Sequence, residues 1–148
     1  MLDGLFVAPA VAAITEALGK IDGAIAVIGD AKIAQALAAT HTVIAIGISG
    51  RAARKLSKSL AETAKDSVAA IDPASLAAVI GVDVTADEAW VETLRTWTRA
   101  VRDDGTLVLI DKGHAAEASR RALCAGLTEL EQRHAGRAVI TSGLVTHL

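Results

Sequence analysis

Short apolar runs alternate with amphipathic stretches along the chain. Apolar residues recur every three or four positions through residues 5–20, which predicts a leading helix. Continuous apolar runs at residues 24–28 and 42–46 are typical of strands that are buried on both faces of a sheet. Between these runs, Asp30 is placed to cap a helix. The first third of the chain therefore predicts a helix followed by a βαβ unit.

The middle of the chain predicts a basic helix and two further strands. Residues 51–65 combine an apolar face with a row of cations, which we interpret as a solvated basic face. Residues 68–71 predict a short, weak strand, and Leu76–Val82 predicts a strong one. Between these strands the linker is too short for a full helix.

The last third predicts two helices, a strand and a terminal hairpin. The capping-box pattern at residues 85–88 predicts a helix that buries Trp90 and Trp97 and ends at residues 103–105, before a strand at 106–110. A second long helix is predicted over residues 115–134, and it contains Cys124 as a small buried residue. Its outer face pairs Glu117 with Arg121 and Glu129 with Arg133. Two short strands around Ser142-Gly143 then predict a hairpin.

This order of elements indicates an α/β fold. Strands that alternate with helices give a single doubly wound, mostly parallel sheet with helices on both faces, and the chain ends in an antiparallel hairpin. A length of 148 residues fits one domain, residues 1–148. Within it we expect a leading helix in residues 1–22 and a Rossmann-like core in residues 23–148.

Composition excludes several classes of function. The net charge of −2 argues against general nucleic-acid binding. The apolar start is too short to span a membrane, and Asp3 stands where a signal peptide carries positive charge, so we expect a cytoplasmic protein. One cysteine cannot form an internal disulfide, and the four histidines do not show metal-ligand spacing, so no metal is expected.

Three segments resemble class I S-adenosylmethionine-dependent methyltransferases. Residues 43–52, with Ile46-Gly47-Ile48-Ser49, resemble the family's second strand, in which an acidic residue stands at the position of Gly47. Leu76–Val82 with the following Asp83 resembles the fourth strand. Residues 94–110 resemble the segment that turns through a glycine, here Gly105, into the fifth strand. The resemblance implies a methyltransferase-like fold for residues 20–148.

The resemblance also implies a cofactor site with degenerate motifs. In the family, the first strand ends in acidic-x-Gly-x-Gly, and the second ends in a carboxylate that binds the ribose hydroxyls. If Gly29 matches the first glycine, Val27 stands at the acidic position and Ala31 at the second glycine. Gly47 takes the place of the ribose carboxylate. Three expected cofactor contacts are therefore absent together.

Candidate ligand-binding residues follow the predicted strands, where doubly wound folds bind their ligands. The cofactor-site candidates are Gly29, Asp30, Gly47, Ser49 and Asp83, and the pocket-rim candidates are Lys32, Arg51, Asp111, Lys112 and His114. No catalytic residue is assigned. The alternative for the whole set is that polar strand ends simply face water, with Asp30 as a helix cap and Asp111-Lys112 as a solvated ion pair.

Two other α/β classes fit less well. A response-regulator receiver requires a full helix between its third and fourth strands, and a nicotinamide-binding domain requires Gly-x-Gly-x-x-Gly. The first hypothesis is therefore a non-catalytic, methyltransferase-like binding or regulatory module, a pseudoenzyme without cofactor, acting through a protein partner or by self-association as a homodimer. The alternative is an S-adenosylmethionine-dependent methyltransferase with an atypical cofactor loop. Another small-ligand binder or enzyme stays open.

Overall fold

The computed structural model describes the backbone of residues 4–147 and the side chains of residues 7–147. Residues 1–3 of the predicted leading segment and Leu148 of the predicted hairpin lie outside this range. The helices are α1 (Gly4–Leu18), α2 (Ala31–Ala38), α3 (Gly50–Arg54), α4 (Lys58–Thr63), α5 (Trp90–Ala100) and α6 (Ala115–Cys124). The strands are β1 (Ala24–Ile28), β2 (Thr42–Ile46), β3 (Leu76–Val82), β4 (Val101–Lys112), β5 (Thr128–Ala135) and β6 (Ala138–Leu144).

Six strands form one sheet in the order β2-β1-β3-β4-β6-β5. The strands β2, β1, β3 and β4 are parallel, and β6 is antiparallel to both β4 and β5. The predicted α/β class, with a mostly parallel sheet and an antiparallel hairpin at the end, is confirmed. No helix among the described residues is long and apolar enough to cross a lipid bilayer.

Alternate residues of the central strands are buried on opposite faces of the sheet. On one face, Val27, Ile80 and Val108 pack in the same cluster as the apolar residues of α1, α2 and α4. On the other face, Val79 and Leu107 pack in a cluster with the apolar residues of α5 and α6. This two-sided burial explains why the central strands read as continuous apolar runs in the sequence.

The leading helix packs on the chain itself. Ala10 and Ile14 of α1 are fully buried in the first cluster, and Glu16 lies 3.8 Å from Arg133 of β5 in an ion pair. The apolar face of α1 is therefore covered by the sheet.

Two predictions for the middle of the chain are wrong. The basic segment 51–65 is two short helices, because Ser57 interrupts it and caps α4 by accepting a hydrogen bond from the Leu60 N–H at 3.4 Å. Residues 68–71 form a 3-10 turn, Val68–Ala70, instead of a strand. Val68 and Ile71 are both buried, and their spacing of three fits this turn. A single parallel bridge between Ile46 and Lys65 extends that edge of the sheet.

The predicted start and end of α5 are also wrong. Thr85 does not cap the helix; Asp87 accepts hydrogen bonds from the Ala89 N–H at 2.8 Å and from the Thr93 hydroxyl at 2.6 Å near its start. At the other end, α5 stops at Ala100, and β4 begins at once. Residues 102–105 lie within β4 as an irregularity, because Leu76 pairs with Val101 and Ala78 pairs with Thr106.

The C-terminal prediction places the hairpin wrongly. The long helix predicted over 115–134 ends at Cys124, since Gly126 turns the chain at φ +87°, and residues 128–135 form β5. Strand β6 runs straight through the predicted Ser142-Gly143 turn, and the hairpin turn lies between β5 and β6 instead. Cys124 is exposed and not buried as predicted. Glu129 lies on a strand, and Arg133 pairs with Glu131 at 2.7 Å.

Gly81 gives a direct test of the packing of α5 on β3. A Cβ at this position would overlap Cζ3 and Cη2 of the Trp97 indole, which is 8% exposed. We expect Gly81→Ala to lower the free energy of unfolding by about 1–3 kcal/mol through overpacking. In the double variant with Trp97→Leu the overlap is relieved, so urea unfolding should show a loss smaller than the sum of the two single losses. Additive losses would contradict this packing.

Candidate functional site

The carboxyl ends of β1, β2, β3 and β4 lie at one edge of the sheet because these strands are parallel. The candidate residues occupy the loops at this edge, the first turns of α2 and α3, and the last two positions of β4. Open parallel sheets bind their ligands at such an edge.

The turn after β1 consists of Gly29 and Asp30. Gly29 has φ +80° and donates its N–H to the Ile46 carbonyl at 2.9 Å, which ties the ends of β1 and β2 together. Asp30 is fully buried, and its Oδ1 accepts a hydrogen bond from the Ile33 N–H at 3.0 Å, so the predicted helix cap is confirmed. Its Oδ2 is buried without a hydrogen-bond partner among the described residues.

The turn after β2 begins with Gly47, which is exposed. Its φ is +67°, and its N–H donates to the Lys65 carbonyl at 3.0 Å. Residues other than Gly, Asn and Asp adopt this left-handed backbone conformation only at an energetic cost. Ser49 precedes α3 at the cap position, but its side chain makes no capping hydrogen bond.

Two positions where the resemblance implies cofactor contacts lie in β1 and at the start of α2. Val27 is fully buried within β1, and Ala31 is the first residue of α2. The loop after β1 is therefore only two residues long, and the second expected glycine falls inside a helix.

A group of polar residues joins the ends of β3 and β4. Asp111 of β4 is 1% exposed, and its Oδ1 accepts hydrogen bonds from both the N–H and the hydroxyl of Thr85, each at 2.8 Å. Its Oδ2 has no hydrogen-bond partner among the described residues. Asp83, which is half-buried at φ +58°, donates its N–H to the Ile110 carbonyl at 2.8 Å. The predicted solvated ion pair of Asp111 with Lys112 is wrong, because Asp111 is buried and bound to Thr85.

Burial is the main cause that raises the pKa of Asp111 above its ordinary value of 3.8. The hydrogen bonds from Thr85 act in the opposite direction. The charge of Asp83 raises the pKa further, and the charge of Arg121 lowers it. The carboxyl group of Asp111 therefore sits in a partly desolvated, acidic environment.

Arg121 connects this group to α6. Its guanidinium donates to the carbonyls of Val84 at 2.5 Å and Asp87 at 3.1 Å, and to Glu117 at 2.8 Å. It also lies over the Trp90 ring, 5.0 Å from the centroid, and Trp90 is half-buried and not fully buried as predicted. Hydrogen bonds from Arg120 and Arg121 lower the pKa of Glu117 to about 2.

Sequence reasoning missed the roles of Thr85 and Arg121. Thr85 was assigned to a capping box and Arg121 only to a pair with Glu117, which is confirmed. Their further partners lie 26 and 37 positions away along the chain, so no local pattern reveals them.

The rim candidates separate into two groups. Lys32 and Arg51 line one cavity between α2 and α3. Lys112 is exposed at the end of β4, and His114 is exposed at φ +58° just before α6. No hydrogen bond or ion pair within residues 7–147 joins Ser49, Lys112 or His114 to the other candidates. Across the same residues, no group of three or more His, Cys, Asp or Glu side chains could hold a metal ion.

Comparison with known proteins adds evidence on the fold. No family model matches the sequence, and no curated protein matches it. Among solved structures, the chain is similar to the 1,6-didemethyltoxoflavin-N1-methyltransferase of Burkholderia thailandensis, whose structure holds S-adenosylhomocysteine. That match has 15% identity and a TM-score of 0.74, and it covers 98% of this chain and 80% of the other.

Two further matches have the same character. A SAM-dependent methyltransferase from Thermotoga maritima is 12% identical with a TM-score of 0.73, over 95% of this chain and 89% of the other. In the complex of the Haloferax volcanii Trm112 methyltransferase activator with a protein assigned as a methyltransferase, the match is 13% identical with a TM-score of 0.69. It covers 91% of this chain and 89% of the other. The chain thus has the class I S-adenosylmethionine-dependent methyltransferase-like, Rossmann-like fold.

Asp111 provides a test of the group at the ends of β3 and β4. We expect Asp111→Ala to lower the free energy of unfolding by about 1–3 kcal/mol, because the Thr85 N–H and hydroxyl lose their acceptor. Asp111→Asn keeps the accepting oxygen and should cost less. Urea unfolding near neutral pH measures both, and equal losses would contradict the assigned role of Oδ1.

A comparison of the native protein with Asp111→Asn at different pH values tests the raised pKa of Asp111. Since the folded pKa of Asp111 is raised, its contribution to stability is present below the unfolded pKa and is lost as the pH rises through the folded pKa. Asparagine does not titrate. The stability of the native protein relative to Asp111→Asn should therefore fall as the pH rises from below 3.8, the ordinary pKa of Asp111, through the raised pKa of the folded protein. A relative stability that is constant or rises over this range would contradict the raised pKa.

Proposed function

We propose that this chain binds S-adenosylmethionine at the carboxyl ends of its parallel strands and acts as a methyltransferase with an atypical cofactor loop. The proposal treats residues 1–148 as one domain. The matches to methyltransferase structures extend over nearly the full chain, and the shared fold supports the proposal. The neighbour that holds S-adenosylhomocysteine favours this hypothesis over a pseudoenzyme. When bound, the cofactor supplies a methyl group on a sulfonium ion.

The observation that carries the proposal is the position of three carboxylates along this edge. Asp30 follows β1, Asp83 follows β3, and Asp111 stands near the end of β4. The cofactor carries two cationic groups, the sulfonium and the ammonium, and carboxylates attract both. Two of the three residues, Asp30 and Asp111, have a buried oxygen without a partner among the described residues. An oxygen of this kind is costly unless a bound donor completes it.

Gly29 suits a close approach of the cofactor to the backbone. At φ +80° it adopts a conformation that disfavours other side chains, and a Cβ there would lie 3.2 Å from Cγ2 of Val82. In this proposal, Gly29 lets the cofactor approach the end of β1, and Asp83 faces its cationic part.

The proposed site departs from the family pattern in ways that weaken binding. Because α2 begins at Ala31, the loop after β1 has little freedom to wrap around a ligand. A hydrogen bond to a charged group is worth about 1.5–3 kcal/mol, so a ribose carboxylate missing at Gly47 lowers affinity by roughly ten- to a hundredfold. We therefore expect weak binding, which must be measured at high protein concentration.

A specific observation also favours a second candidate, the non-catalytic module. The short loop and the left-handed Gly47 reduce the cofactor contacts, and two large apolar side chains on neighbouring helices are exposed: Val91 by 49% and Leu123 by 62%. A protein partner or a second copy could cover them. The edge strand β5 suits this role less well, since Glu129, Glu131 and Arg133 discourage strand pairing.

Calorimetric titration with S-adenosylmethionine and S-adenosylhomocysteine tests the leading proposal. Asp83→Asn keeps a residue that tolerates the left-handed backbone but removes a charge, and it should weaken binding by roughly three- to tenfold, or about 1 kcal/mol. Asp72→Asn is the matched control, because Asp72 is exposed and precedes the amino end of the same strand, β3. It should bind as the native protein does.

Two results would contradict this site. One is the absence of binding to the native protein at millimolar cofactor, and the other is an equal effect of both aspartate variants. Turnover separates the two candidates: release of S-adenosylhomocysteine from S-adenosylmethionine in the presence of a metabolite extract supports an enzyme. Binding without any such release supports the non-catalytic module.

A further inference from the structure

A cavity of about 290 Å³ lies between α2 and α3. It is lined by the exposed cations Lys32, Arg51 and Lys55 and by the apolar side chains of Ala52 and Leu56. Its volume is at the lower end of the range for small-molecule sites. A small ligand is therefore the right size for it.

The cavity depends on the break in the basic segment. The side chain of Gln35, on α2, accepts a hydrogen bond from the Ser57 N–H at 3.1 Å. This bond fixes the chain just after Lys55 and Leu56, where an unbroken helix was predicted, and both residues then line the cavity. The basic segment is thus tied to α2 at Ser57 and does not form one straight helix, while its cations are exposed as predicted.

The charge around the cavity is entirely positive. No Asp or Glu lines it, and among the described residues none of its three cations forms an ion pair. Asp30, which precedes α2, is fully buried, and its carboxylate caps the helix instead of lining the cavity. Three exposed cations around a largely apolar cavity favour a ligand with a multiply charged anionic group and a partly apolar body.

We propose that this cavity binds the phosphate monoester of a small organic ligand of the nucleoside monophosphate class. A phosphate monoester carries nearly two negative charges at neutral pH and accepts several hydrogen bonds, for which α2, α3 and the residue after α3 supply Lys32, Arg51 and Lys55. A nucleobase or a similar flat body packs on Ala52 and Leu56. The residues that line this cavity do not include Asp30, Asp83 or Asp111, and the proposal does not rest on S-adenosylmethionine binding.

Calorimetric titration of the full chain with adenosine 5′-monophosphate, adenosine and inorganic phosphate tests the proposal at low salt. We expect the monophosphate to bind at least roughly tenfold more tightly than either part alone, and its affinity to fall as salt is added. No binding of the monophosphate would overturn the proposal. Equal binding of inorganic phosphate would also overturn it, because the cavity would then hold an adventitious anion only.

Charge-removing variants locate the site. Arg51→Gln and Lys55→Gln should each weaken binding of the monophosphate by roughly threefold, and the double variant by about tenfold. Arg54→Gln is the matched control, since Arg54 is exposed on the same helix, α3, but does not line the cavity. An equal loss in the control would overturn the assignment to the cavity.

A competition titration separates this site from the proposed cofactor site. A saturating concentration of S-adenosylmethionine should leave the affinity for the monophosphate unchanged. If the two ligands exclude each other, the separate site is wrong. If S-adenosylmethionine does not bind at all while the monophosphate does, the proposed methyltransferase fails and the phosphate site stands.

Discussion

The two-residue turn between β1 and α2 is the constraint on which the candidate site depends. Gly29 accepts a positive φ and bonds β1 to β2, and Asp30 caps α2 in the next position. Helix α2 must therefore begin at Ala31 and lie close against the sheet. This turn ties the ends of the parallel strands β1 and β2 together. It is shorter than the acidic-x-Gly-x-Gly loop that methyltransferase-like sequences have after their first strand. The same few residues thus determine the fold at this edge and the geometry of the proposed cofactor site.

The charges around this edge are divided between two regions. Asp30, Asp83 and Asp111 make the ends of β1, β3 and β4 acidic, whereas Lys32 and Arg51 make the space between α2 and α3 basic. The two proposed ligands, a cationic cofactor and an anionic phosphate ester, match these two regions in charge. The near-neutral net charge of the chain conceals this separation.

Local patterns predicted the parts of the fold that local forces determine. The buried strands β1, β2 and β3 and the cap at Asp30 follow from apolar runs and one side-chain hydrogen bond. The C-terminal errors arise from distant pairings. Residues 102–105 stay within β4 partly because Val145 exchanges backbone hydrogen bonds with Asp104 and Gly105. The candidate residues of the site lie next to strand ends, as the sequence predicts. The hydrogen bond between Thr85 and Asp111 was not predicted, because the two residues are 26 positions apart and no local pattern links them.

Amide NMR with S-adenosylhomocysteine tests the central claim, that a cofactor of this class binds at the carboxyl ends of the parallel strands. We expect the amide signals of Gly29, Gly47 and Asp83 to shift together as S-adenosylhomocysteine is added. The signal of Gly126, which follows α6 and lies away from that edge, should not move. Shifts confined to α5 and α6, or no shifts at millimolar S-adenosylhomocysteine, would contradict binding at the carboxyl ends of the parallel strands.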